Sequence, residues 1–187
     1  MSLEHATLGF LEYQAMSGYD LKALFDKTVR HFWTADQSQI YRTLARITER
    51  GWATVEVVPQ PDRPDRKVYH ITEPGRAELH RWLTEPLLNQ NVRAARLVQI
   101  FFAGNLTDEE ALQMLRAMAD DYRGRLEALR VLADTANEHD APAGSTERDW
   151  FFWNLPLENG IRITGALLEW VEGAIERLER GDYHASY

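Results

Sequence analysis

The chain has 187 residues, of which 44% are hydrophobic and 27% charged, and it has no cysteine. That length suits one or two domains with a core of their own. The missing cysteine excludes disulfides, zinc–thiolate sites, iron–sulfur clusters and thiol nucleophiles. The net charge of −8 is unevenly spread: residues 1–86 hold 11 basic and 12 acidic side chains, whereas residues 87–187 hold 10 and 17. From Gln37 to Arg81 the balance is eight basic to six acidic. Charges are screened over about 8 Å at physiological salt, so a locally basic face can meet phosphate while an acidic half projects away.

No apolar run approaches the ~18 residues of a membrane-spanning helix. The opening MSLEHATLGFLEY has Glu4 and no Lys or Arg before its short apolar stretch, which is unlike a secretory signal. A soluble, cytoplasmic, globular protein without a membrane partner is expected.

In chain order, residues 4–15 read as a helix with Ala6, Leu8, Leu11 and Ala15 near one stripe. MSGYD breaks it, and Ser17 with Asp20 has the spacing of a capping box. The next helix places Leu21, Leu24, Phe25 and Val29 on one face. Thr34 and Gln37 have the same capping spacing and would open a third helix, which Gly51 ends. Residues 53–58 (ATVEVV) alternate as a half-buried strand does, and 67–72 (KVYHIT) are a second β-prone run. Between them PQPDRPDR has three prolines and a charged tip, so a hairpin is expected. Thr72 caps a fourth helix.

Three helices, a hairpin and a helix in roughly 80 residues is the order of a winged helix-turn-helix. With a domain boundary after residue 86, the first domain is 1–86 and the second, 87–187, is all helical. Its pattern begins with a helix over 92–103. Thr107 and Glu110 form a capping box, and Asp108, Glu109 and Glu110 suit the positive end of the helix dipole. This helix runs to about Thr135, with Leu112, Leu115, Ala119, Tyr122, Leu126, Leu129 and Ala133 at steps of three and four, a heptad seam. A last helix repeats the pattern through Ile161, Thr164, Leu168, Val171, Ile175 and Leu178. The two seams could cover each other in a monomer. The extra apolar Ala166, Leu167, Trp170 and Ala174 exceed what one partner helix covers, so a homodimer is the better reading.

At 100° per residue, the third helix turns Ile40, Leu44 and Ile47 toward the core. Ser38, Arg42, Ala45 and Glu49 lie opposite, flanked by Gln39, Arg46 and Tyr41. A reading helix inserts its N-terminal residues into the major groove; Arg pairs with guanine and Gln with adenine. Ser38, Gln39, Tyr41, Arg42 and Arg46 are therefore candidate DNA contacts, with Arg63, Arg66 and Lys67 of the wing meeting phosphate or the minor groove. A solvated helix face and a solubilising hairpin tip are the plainer alternatives.

GYDLKALF, SQIYRTLARITERGW, the strand pair and KVYHITEPGRAELHRWL together resemble the PadR family of bacterial transcriptional regulators. The likeness includes Tyr41 and Leu44, the closing Gly51, Gly75 after the wing, and Trp82 with Leu83. The long helical half is similar to that of the larger PadR subgroup. The resemblance implies a homodimeric repressor that binds an inverted repeat in double-stranded DNA. The chain departs from the family pattern at Pro156, where a break or kink is expected.

Trp150, Phe151, Phe152 and Trp153, with Phe101, Phe102 and Trp170, could line a pocket for a flat aromatic effector, with Phe101, Trp150, Trp153 and Trp170 as its candidates. Core or dimer packing is the simpler role. Arg93 and Arg96 could balance an effector carboxylate or form ordinary salt bridges. The six histidines form no metal pattern, and His139 sits in a charged loop. There is no Gly-x-Ser-x-Gly and no Gly-rich phosphate loop, so neither enzyme nor cofactor is expected. The main rival reading is a protein-interaction module that docks a protein through the helix-turn-helix; carboxylates neutralising Arg42 and Arg46 would favour it. A small-molecule-binding protein or enzyme centred on the aromatic cluster is the third.

Overall fold

The computed structural model describes residues 2–60, 65–86, 94–136 and 145–184. The chain divides into two compact units, Met1–Leu88 with Glu138–Trp150, and Asn89–Asn137 with Phe151–Tyr187.

The first unit runs α1 (Ser2–Tyr13), β1 (Met16–Ser17), α2 (Gly18–Thr28), α3 (Gln37–Glu49), β2 (Ala53–Val58), β3 (Arg66–Ile71) and α4 (Glu73–Thr84). The first helix stops short of the expected 15, leaving Ala15 exposed. The wing is a three-stranded antiparallel sheet in the order β1-β3-β2, not a bare hairpin. Met16 pairs with Tyr69 and Ser17 with Val68, while β2 pairs with β3 from Ala53↔Ile71 to Val58↔Arg66. A two-residue strand has no periodicity to read, so only its pairing reveals it.

Ser17 also caps α2: its Oγ accepts the Asp20 N–H at 3.2 Å, completing the expected capping box. On α3 the cap is Asp36, not Thr34. Asp36 Oδ1 accepts the Gln39 N–H at 2.7 Å and Gln39 Oε1 accepts the Asp36 N–H at 2.9 Å. Both pairs are suitable cap residues at suitable spacing, and the helix starts where Ile40 reaches the core. That core holds Leu8, Leu11, Leu21, Phe25, Ile40, Leu44 and Ile47. Gly51, at φ +72, ends α3 in the left-handed conformation that favours glycine. The Trp52 N–H then returns to the Ile47 carbonyl at 2.8 Å.

The second unit contains α5 (Ala95–Phe101), a 3-10 turn (Ala103–Asn105), α6 (Asp108–Thr135) and most of α7 (Glu147–Glu179), whose first turn clusters with the first unit. The expected 92–103 helix is therefore shorter on its described residues. The Thr107–Glu110 capping box and the Thr135 end of α6 are as read from sequence. On the α6 seam Leu115, Ala119, Tyr122, Leu126 and Leu129 are buried; Leu112 is half-buried and Ala133 exposed. Leu115, Met118, Ala119 and Tyr122 share a core with Val171, against which Leu167, Leu168, Ala174, Ile175 and Leu178 pack. The two seams thus cover each other within one chain. Arg123–Glu172 and Arg116–Glu179 ion pairs, at 2.8 and 2.7 Å, flank them.

Pro156 does not break the last helix, contrary to the sequence-based expectation: α7 is continuous for 33 residues. Proline removes one backbone hydrogen bond, while Leu157, Thr164 and Val171 bury the face that follows. The packed face holds the helix through the lost bond. The aromatic run 150–153 is consequently part of α7 and not a separate segment.

Candidate nucleic-acid interface

The start of α3 is organised around Asp36. Its carboxylate takes the Ser38 hydroxyl at 2.7 Å as well as the Gln39 N–H, and Arg42 Nη2 donates to Ser38 Oγ at 3.2 Å. The Ser38 hydrogen bond chiefly holds the Asp36 carboxyl below its usual range, with the Gln39 N–H next. Ser38, Gln39, Tyr41 and Arg42 are all exposed. The Gln39 carbonyl oxygen is committed to the cap, so the two-point contact with adenine expected of it needs the cap to open. Among the described residues, Arg42 meets no carboxylate within 4 Å.

Tyr41 leans on α2. A Cβ at Gly18 would stand 2.6 Å from its ring, so glycine there is what lets the ring approach the helix start.

Arg46 is placed differently. Its Nε donates to Glu4 Oε1 of α1 at 2.9 Å and its Nη2 to Thr43 Oγ1 at 3.0 Å. Arg50 Nη1 donates to Glu4 Oε2 at 2.8 Å and its guanidinium lies 4.8 Å from the Trp52 ring centre. The sequence criterion that set DNA against protein therefore divides: Arg46 pairs directly with a carboxylate, whereas Arg42 reaches the Asp36 carboxylate only through Ser38 and forms no direct ion pair among the described residues. On the wing, Arg66 Nη2 donates to Asp20 Oδ2 at 2.5 Å. The Ser17 hydroxyl, then Arg66, hold that carboxyl below its usual range, against the opposing effect of burial. Lys67 is exposed. Arg63 lies outside the described residues, as do Arg93 and His139.

Sequence reading missed Glu4, Asp36 and the α1–α4 contact, where His5 Nε2 hydrogen-bonds Glu78 Oε1 at 2.9 Å and its ring stacks on Trp82 at 4.6 Å. Asp36 had a legible signal in its spacing to Gln39. Glu4 had none, because its partners lie 42 and 46 residues away.

The aromatic candidates are less gathered. Phe101 is 81% exposed and Trp170 40% exposed, while Trp150 and Trp153 are half-buried. Trp150 clusters with the first unit, the other three with the second. A shallow cavity of about 330 Å³ lies instead between α6 and α7, lined by Arg116, Asp120, Arg123, Glu172, Ile175 and Glu176 among others. Arg96 is paired with Asp121 at 2.6 Å, the ordinary salt bridge of the two options. Among the described residues no three His, Asp or Glu side chains form a group that could hold a metal, and no helix is long and apolar enough to cross a membrane.

A three-helix head with an exposed face on its third helix beside a β-wing, followed by long packed helices, defines a winged helix-turn-helix regulator. Residues 7–81 match the Transcriptional regulator PadR-like family and residues 92–179 match Virulence activator alpha C-term. The chain is 36% identical to a Mycobacterium tuberculosis protein named Probable transcriptional regulator Rv1176c, over 96% of this chain and 98% of that one. It is 32% identical to the Negative transcriptional regulator PadR of Bacillus subtilis, over 95% and 98%. The crystal structure of Bacillus subtilis PadR in complex with operator DNA superposes with a TM-score of 0.82 at 24% identity, over 95% of this chain and 99% of that one. That of the same protein in complex with p-coumaric acid gives 0.78 at 24% identity, over 95% and 94%. The chain belongs to the PadR-like family of transcriptional regulators, in the larger subgroup with the long helical C-terminal half. It is a DNA-binding transcriptional regulator and not an enzyme.

Proposed function

We propose that this protein is a homodimeric cytoplasmic repressor that binds an inverted-repeat operator. Residues 1–86 form its DNA-binding domain, and residues 87–187 dimerise and receive an effector. The carrying observation is the exposed first half of α3, where Arg42 forms no direct ion pair among the described residues and Ser38 and Tyr41 flank it. In this reading Arg42 reads a base from the major groove, Ser38, Gln39 and Tyr41 surround it, and Lys67 with Arg63 and Arg66 meets phosphate. Arg66 exchanges Asp20 for a phosphate on binding. Arg46 flanks the reading face while Glu4 holds it.

Dimerisation is supported by apolar surface left over once the seams have met. No residue of α5 is buried, and Leu97, Val98, Phe101 and Phe102 are exposed, as are Phe151, Phe152, Leu155, Ile163 and Trp170 on α7. So large an exposed apolar set marks an interaction surface. A second copy places two reading helices about 34 Å apart, or a multiple of that. The named function of the Bacillus subtilis relative supports repression. The p-coumaric acid in its crystal structure supports a small aromatic effector, for which Phe101, Trp153 and Trp170 of the second unit are candidate residues.

Selection of bound duplexes from a random pool tests the reading. An enriched palindrome is expected, bound by a dimer in sedimentation. With three or four phosphate contacts per protomer, affinity falls by about 10³ to 10⁴ between 50 and 200 mM salt. A flat salt response with no enriched sequence contradicts it.

A further inference from the structure

We propose that Glu4 is a positioning residue that raises the selectivity of DNA binding by withholding two arginines of the reading helix from phosphate. The inference rests on the assignment of α3 as the reading helix.

Glu4 is 5% exposed, yet both its carboxylate oxygens are filled from α3 and its C-terminal cap. Oε1 accepts from Arg46 and Oε2 from Arg50. Each arginine has a second restraint: Arg46 on the fully buried Thr43, and Arg50 over Trp52. The two arginine side chains are 48% and 46% exposed, so water, and by the same token phosphate, can reach them. What they lack is freedom. A buried carboxylate that loses its partners is strongly destabilised, so leaving Glu4 for a phosphate is opposed.

The consequence is a division among three arginines on one helix and its cap. Arg42 stays available to a base edge, which carries sequence information. Arg46 and Arg50 would add phosphate contacts, which strengthen binding to every sequence alike. Holding those two back lowers binding to random DNA and leaves the contribution of Arg42 intact. Glu4 thereby also ties the second half of α3 to α1.

The test is Glu4→Gln in the full-length protein, with affinities for a selected operator and a random duplex of equal length measured across salt. The released arginines should strengthen random-duplex binding several-fold. They should steepen its log–log salt slope by up to about 2 per protomer and reduce the operator-to-random ratio. The neutral triple variant Glu4→Gln/Arg46→Gln/Arg50→Gln should return to the wild-type slope. A purely structural Glu4 predicts that both affinities drop together at unchanged slope, and that result overturns the proposal. If Glu4→Gln does not fold, the triple variant decides alone: a slope shallower than wild type means that Arg46 and Arg50 already meet phosphate, which also overturns it. Wild-type protein that prefers no duplex would defeat the DNA-reading assignment itself, whereas a selective wild type matched by an identical Glu4→Gln defeats only this inference.

Discussion

Gly75, in the first turn of α4, lies against the backbone of Trp52: a Cβ on it would stand 2.1 Å from the Trp52 carbonyl oxygen. The same carbonyl accepts the Thr72 N–H at 3.0 Å, so wing and helix are joined at this point. Gly75→Ala must push α4 from the Trp52 backbone and should cost about 1–3 kcal/mol. Chemical denaturation would report it as a lower midpoint at unchanged slope. Gly18→Ala should behave more mildly in stability, because the Tyr41 ring it displaces can move, but it should weaken operator binding.

Arg42→Ala should reduce the operator-to-random affinity ratio by about 1–3 kcal/mol, or roughly five- to 150-fold, since a base contact is lost. Lys67→Ala should weaken operator and random duplex equally and make the salt slope shallower by about 1. Fluorescence anisotropy titrations at several salt concentrations separate the two outcomes.

Glu78 couples α4 to α1. Two hydrogen bonds from Arg81, and then one from His5, bring its carboxyl from 4.5 down to about 2. The folded value lies below the unfolded one, so the stabilisation is complete above about pH 4.5 and disappears as pH falls toward 2. Glu78→Gln should lower stability near neutral pH by about 1–3 kcal/mol. Its difference from wild type should shrink as denaturation curves are taken from pH 5 to pH 3.

Pro156→Ala should stabilise α7. Restoring the missing N–H inside a continuous helix should raise stability by about 1 kcal/mol, a discounted share of the ~3 kcal/mol that an interior proline costs. Thermal unfolding followed by helical circular dichroism should show a higher midpoint. A lower one would mean that the proline ring contributes packing that alanine cannot replace.

Local signals are readable in the sequence itself. The steps of three and four along α6 and α7, the capping pairs Ser17–Asp20 and Thr107–Glu110, the alternation of 53–58 and the terminal Gly51 each report on neighbours a few residues away. These cues were enough to name the winged head and the helical half. They failed at Asp36, where two cap spacings competed, at β1, which is too short to show a period, and at Pro156, where burial outweighed a local rule.

Periodicity and capping depend on contacts within one or two turns, so the residues along the chain already determined the main helices, the two longer strands of the wing, and which face of α3 is exposed. Which arginines that face can use was decided only by the tertiary structure. Arg42, Arg46 and Arg50 are alike in sequence, and a carboxylate more than forty residues away takes two of them and leaves the third. Charge pairing acts through space, and folding brings Glu4 to α3 by packing apolar side chains that carry no record of the ion pair they create.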